Sequence, residues 1–116
     1  EIYRVVQSIP GIQDSLAVAQ PHDGDSRIVL FVVTTDELDE ALETRIRQEL
    51  RSQASPRHVP SLIVRAPAVP RTRSGKMTEL AVADIVAARA ERDTSSLSNP
   101  ESLEWFRQWA KGSKDL

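Results

Sequence analysis

The stretch Ile28-Val29-Leu30-Phe31-Val32-Val33 decides the fold. Successive side chains of a strand point to opposite faces, and here neither set is polar, so the segment reads as a central strand covered on both sides. Its β-branched residues favour that backbone further. A strand of this kind needs neighbours. Just before it, His22-Asp23-Gly24-Asp25 reads as a turn, because Asp and Gly accept the backbone angles of a reversal. Ile12 to Gln20, with Leu16 and Val18 among small residues, then reads as the preceding strand. Ahead of that, Ile2, Val5, Val6 and Ile9 fall at i, i+3, i+4 and i+7, a short amphipathic helix stopped by Pro10-Gly11.

On the other side, Asp36 is expected to cap a helix whose apolar stripe is Leu38, Ala41, Leu42, Ile46 and Leu50. Glu43 and Arg47 form an i, i+4 ion pair in the favourable order on its outer face. Ser55-Pro56-Arg57-His58-Val59-Pro60 ends it, since proline cannot continue a helix. Leu62 to Val64 reads as a brief strand, and Pro67 and Pro70 bracket an extended segment. A third helix is expected from about Glu79 to Arg92, with Leu80, Ala83, Ile85, Val86 and Ala90 apolar. Asp93 to Ser98 reads as a polar linker. A last helix is expected with Asn99 as its cap and Pro100 in first position, offering Leu103, Phe106 and Ala110 to a partner surface. The order is that of an α+β fold, a small three-stranded sheet flanked by helices.

Composition agrees with one packed unit. Of 116 residues, 40% are hydrophobic and 28% charged, enough for a core. Only 4% are aromatic, so Val, Ile, Leu and Ala must fill most of that core. With no cysteine there is no disulfide framework, no thiolate metal site and no cysteine nucleophile. The longest apolar run is far shorter than the ~20 residues that span a bilayer, and the first residues do not read as a signal peptide. A soluble, cytoplasmic protein without membrane partners is expected. The chain starts at Glu1, without Met and inside an expected helix, which suggests a piece of something longer.

The net charge of −2 conceals an asymmetry. No acid occurs from Leu50 to Thr78, where Arg51, Arg57, Arg65, Arg71, Arg73 and Lys76 supply six cations. The remaining residues, with 9 basic and 17 acidic groups, carry −8. One basic stretch in an acidic protein points to a local anionic partner, although long charged side chains also simply solvate loops. Nucleic acid is excluded as that partner on this reading, for want of interleaved aromatic residues and of overall positive charge.

Within the basic stretch, Arg73-Ser74-Gly75-Lys76 is the sharpest feature. Gly75 permits backbone shapes closed to other residues, and Lys76 carries a compact charge on a long flexible stem. A phosphate-cradling P-loop is ruled out, because Pro70 stands where its first glycine belongs and Met77 replaces its Ser or Thr. Judged alone, the loop reads more readily as a surface turn with a solvated lysine. His22 and His58 are the only histidines. Neither has a second ligand at metal spacing, so no metal site is expected. Trp105 and Trp109, four apart, read as packing residues that a missing partner domain would leave exposed.

Pro70-Arg71-Thr72-Arg73-Ser74-Gly75-Lys76, some ten residues after Pro60 and followed by a helix, resembles the last signature of the AMP-forming acyl-CoA synthetases, members of the adenylate-forming superfamily. Glu1-Ile2-Tyr3 resembles the start of the first helix after their interdomain hinge, and Pro10-Gly11-Ile12-Gln13-Asp14 its usual end. Ser55-Pro56-Arg57-His58-Val59-Pro60 and Ser98-Asn99-Pro100-Glu101-Ser102-Leu103 are most similar to the acetoacetyl-CoA synthetase branch. The resemblance implies a mobile C-terminal domain over residues 1–92, followed by a linker and helix over 93–116. Such a domain closes over a large N-terminal domain, supplies a lysine for ATP-dependent activation of a carboxylate, then rotates for transfer to coenzyme A. It implies that Lys76 is that catalytic lysine on a loop of Arg73, Ser74 and Gly75. Arg51, with Arg57 as a second candidate, would hold phosphates of coenzyme A. Arg51 could equally serve only as a helix C-terminal cation. ATP and coenzyme A are the implied cofactors, with Mg2+ held by the N-terminal domain, and the chain alone is expected to be inert. Two alternatives stay open: the C-terminal part of a loading module in a polyketide or peptide assembly line, and a regulatory module acetylated on Lys76 by a protein acetyltransferase.

Overall fold

Alternation along one strand organises the molecule. In the computed structural model, which describes residues 1–116, β1 (Ile12–His22), β2 (Asp25–Thr34) and β3 (Leu62–Arg65) form a sheet in the order β1-β2-β3. The first two strands pair antiparallel, and β3 runs parallel to β2. Val29 and Phe31 of β2 point into an apolar cluster on one face, and Leu30 and Val32 into a second cluster on the other. All four are 0% exposed. This is the doubly covered central strand that the unbroken apolar run demands.

Over one face lie α1 (Ile2–Val6) and α2 (Glu40–Gln53), which contribute Val5, Val6, Ile46 and Leu50. Over the other lie α3 (Leu80–Val86) and α4 (Leu103–Gly112), which contribute Val82, Ile85, Leu103 and Phe106. The result is a three-layer α+β architecture. The β1–β2 reversal turns on Asp23 and Gly24, with φ of 51° and 77°. Two positive φ values in a two-residue loop match the twist of the strands they join, which is why Asp-Gly serves there.

The segment after residue 93 packs onto the sheet. Leu97, Leu103 and Phe106 belong to the same cluster as Leu16, Val29 and Phe31. The ring of Phe31 meets Phe106 edge-to-face at 4.9 Å between centroids, Trp109 at 5.0 Å and Trp105 at 6.0 Å. Such pairs contribute about 0.5–1.5 kcal/mol each beyond the area they bury. Both tryptophans thus have a packing role and are half-buried. No helix is long and apolar enough to cross a membrane.

Several boundaries differ from the sequence expectation. Helix α1 stops at Val6, and tighter turns carry the chain on to Ile9, which stays buried on the same face. Asp39, not Asp36, caps α2: its Oδ1 accepts from the Leu42 amide at 2.8 Å with Asp39 itself extended. Leu38 consequently lies before the helix, and Ala41 faces solvent. Helix α3 ends at Val86 instead of continuing to Arg92. There Ala88 turns left-handed at φ 57°, with Ala88 N–H donating to Ile85 and Arg89 N–H to Asp84. This is a Schellman stop with alanine in the usual glycine place. It returns Arg89 and Arg92 to the carboxylate of Asp84, with contacts of 3.3 and 2.8 Å.

Candidate functional site

Pro70 to Thr78 forms a tight hairpin closed by an antiparallel bridge between Arg71 and Met77. The Thr72 amide donates to the Lys76 carbonyl at 2.8 Å, and the Gly75 amide to the Thr72 carbonyl at 2.8 Å. Thr72 Oγ1 accepts from the Lys76 amide at 3.2 Å and lies 3.0 Å from Ser74 Oγ. Gly75 has φ of 88°, and an added Cβ would meet nothing, so backbone freedom alone explains glycine here. Arg73, Ser74, Gly75 and Lys76 are all exposed at the tip. Lys76 takes part in none of the ion pairs of the chain. The turn therefore presents an ammonium outward on a shaped backbone.

Arg71 organises the base of this hairpin, a role the sequence reading did not give it beyond its place in the basic stretch and the signature. One guanidinium nitrogen donates to the Gly75 carbonyl at 2.8 Å, and the other to Asp14 Oδ2 at 2.6 Å. Its amide donates to Asn99 Oδ1 at 2.9 Å, while its carbonyl accepts from the Ser98 amide at 2.9 Å. Asn99 Nδ2 in turn donates to the Val69 carbonyl at 2.9 Å. Asn99 holds the expected N-cap position with Pro100 first, but of a 3-10 turn at Pro100–Ser102 that leads into α4, and its side chain makes no cap bond. The amide group instead joins two distant backbone segments. Arg73 N–H donating to Ser96 at 3.1 Å and a bridge between Thr72 and Leu97 extend the same seam. A hydrophilic Ser-Ser-Leu-Ser-Asn run looks like a linker because nothing local reveals its long-range partners.

Glu79, just past the hairpin, accepts a hydrogen bond from the Tyr3 hydroxyl. Burial, reinforced by that acidic partner, raises the Tyr3 phenol far above its ordinary value. A groove of about 330 Å3 runs beside these groups, lined in part by Tyr3, Asp14, Arg71 and Met77.

Arg51 and Arg57 lie elsewhere. Arg51 stands in the last turn of α2 and Arg57 in the 3-10 turn Pro56–His58, both exposed. Helix α2 covers the sheet face opposite α3 and α4, so these guanidiniums and the Lys76 hairpin belong to different layers. His58 Nδ1 lies 2.8 Å from Ser55 Oγ within that turn. No group of three or more His, Asp or Glu side chains is arranged to hold a metal ion. Chemically, the chain offers outward-facing cations in two layers, Lys76 with Arg73 at the hairpin tip in one and Arg51 and Arg57 in the other.

Residues 1–76 match the family described as AMP-binding enzyme C-terminal domain. Acetoacetyl-coenzyme A synthetase of Rhizobium meliloti (strain 1021) is 44% identical over 108 residues, 91% of this chain and 17% of that protein. Acetoacetyl-CoA synthetase of Caenorhabditis elegans is 42% identical over 113 residues, 94% of this chain and 16% of that protein. The chain thus spans only 16–17% of the length of the curated relatives it matches. Both alignments are longer than the family match and so run past Lys76. Among solved structures, the acetoacetyl-CoA synthetase from Streptomyces lividans superposes with a TM-score of 0.81 at 30% identity, over 97% of this chain and 18% of that one. A Mycobacterium tuberculosis fatty acyl CoA synthetase shares the fold at a TM-score of 0.63 and 21% identity, over 76% of this chain and 17% of that one.

Proposed function

The chain belongs to the AMP-binding enzyme C-terminal domain family, and on that premise we propose that it is the closing domain of an ATP-dependent acetoacetate–CoA ligase. The carboxylate oxygen attacks the α-phosphorus of ATP, forming acyl-adenylate and expelling pyrophosphate. The thiol of coenzyme A then attacks the acyl carbonyl, expelling AMP and losing its proton. In the first step two anions must approach each other. An ammonium between them offsets the repulsion most where charge accumulates, in the transition state. Lys76 is assigned that task.

The observation that carries this reading is the exposure of Lys76, unpaired, at the end of a hydrogen-bonded hairpin. Arg51 and Arg57 are assigned to the phosphates of coenzyme A. Their position in the opposite layer suits a domain that turns one face and then another toward its partner. Acetoacetate is favoured among carboxylates because identity to acetoacetyl-CoA synthetases continues beyond the stretch common to the family. The partner is an N-terminal domain of the same protein, which holds ATP, the carboxylate and Mg2+. The chain by itself is inert, and its setting is cytoplasmic. The same exposure makes Lys76 open to a protein acetyltransferase, and acetylation would remove the charge.

The test is acetoacetate-dependent exchange of pyrophosphate into ATP, measured on the complete ligase and on this chain alone. Exchange by the complete protein, with acetoacetate preferred over acetate and longer acids, and none by the chain is the expected result. A complete protein that activates no carboxylate, or a chain that works unaided, would overturn the proposal.

A further inference from the structure

Four polar handles of Arg71 are tied to four partners in three separate places. Its guanidinium spans Asp14 Oδ2, at the start of β1, and the Gly75 carbonyl inside the hairpin. Its amide and carbonyl are held by Asn99 and Ser98, which lie beyond the stretch common to the family. The Arg71–Asp14 pair is only partly exposed, at 38% and 26%. A short, charge-assisted bond in that setting is stronger than a fully solvated one. Gly75 precedes Lys76, so whatever fixes the Gly75 carbonyl fixes the peptide plane from which the lysine departs.

We propose that Arg71, clamped between Asp14 and Asn99, is a positioning residue that holds the Lys76 hairpin in its extended, outward shape. Arg71 itself does not touch the reactants. Its role rests on the assignment of Lys76, but the clamp is a property of the chain and can be measured without chemistry. Without the clamp, the hairpin retains its internal bonds and the seam of Thr72 and Arg73 with Leu97 and Ser96, and loses the tie from Asp14 to the Gly75 carbonyl. A lysine that must first be ordered approaches its target less often, and the loss appears in kcat of the step that uses it.

Two measurements separate the clamp from the chemistry. Amide hydrogen exchange on the chain reports hairpin opening through the Thr72 and Gly75 N–H groups, which donate within the turn. In Arg71→Lys, which keeps a charge but cannot span both acceptors, and in Asn99→Ala, those amides are expected to exchange about tenfold faster or more, the scale of one lost charge-assisted bond or two lost neutral ones. The amides of β2 should be unchanged. Should either variant loosen β2 as well, Asp14→Asn supplies the same comparison from the other end of the clamp. In the complete ligase, Arg71→Lys should lower kcat of adenylation with little change in KM for ATP, and leave thioester formation from supplied acyl-adenylate intact. Hairpin amides that exchange as in the parent chain in these variants would overturn the proposal. Faster exchange with undiminished adenylation would leave the clamp standing but overturn its positioning role, whereas the role given to Lys76 stands or falls with Lys76→Ala.

Discussion

The Tyr3 hydroxyl accepts a hydrogen bond from the Ala17 amide at 2.9 Å, on the open side of edge strand β1. A side chain thereby satisfies a donor that a fourth strand would otherwise pair, and an edge so covered is a poorer template for aggregation. The same hydroxyl donates to Glu79, joining the first helix to the root of the lysine hairpin.

Tyr3 is the only tyrosine, so its ionisation can be followed without interference. Burial first, and then the hydrogen bond to Glu79, raise its pKa above the ordinary 10.0. Below that value the phenol is neutral in folded and unfolded chains alike and adds no pH dependence. Above it the unfolded chain ionises first, so stability falls with rising pH. Tyrosinate absorbance should therefore appear together with loss of helical circular dichroism. In Tyr3→Phe the decline that begins near the ordinary phenol value should flatten. Ionisation of Tyr3 at its ordinary value within an intact fold would contradict this.

At the acid end one group to follow is Asp84, buried at 4% exposure. Its hydrogen bonds from Arg92, and then from Arg89, lower its pKa below the ordinary 3.8 against the opposing effect of burial. The stability it contributes is present above 3.8 and is lost as pH falls through the lower, native value. In Asp84→Asn, the denaturation midpoint should be lower near neutrality and fall less steeply below pH 3.8. Parallel acid limbs in the parent chain and the Asp84→Asn variant would show that the two arginines do not hold this carboxylate.

The stop of α3 offers a test with the opposite sign. Ala88 sits at φ 57°, a conformation that costs an L-residue with a Cβ roughly 1–2 kcal/mol. Ala88→Gly removes that strain, at the cost of greater freedom in the unfolded chain. A net gain of about 1 kcal/mol or less is expected in urea denaturation. A loss would mean that the Ala88 methyl group makes contacts that outweigh the strain.

The sheet was legible because periodicity is local: the run Ile28–Val33 and the Asp23-Gly24 reversal need no partner to be recognised. Helix ends were less so. Asp36 and Asp39 are chemically identical caps, and only the path of Leu38 onto the core selects the second. No glycine marks the end of α3: Ala88 itself takes the left-handed position, and the turn that brings Arg89 and Arg92 back to Asp84 is not advertised by composition. At the site, the motif from Arg73 to Lys76 was plain, whereas Arg71 and Asn99 were not. Their bonds reach across 57 and 28 residues, and a long-range hydrogen bond leaves no periodic trace.

The most direct measurement is pyrophosphate release by the complete ligase carrying Lys76→Ala, set beside thioester formation from supplied acetoacetyl-adenylate. Removing one preorganised cation from a charge-building transition state should slow the first reaction by about a hundredfold or more and leave the second unchanged. Pyrophosphate released at the parent rate, or both reactions failing together, would contradict the assignment of Lys76.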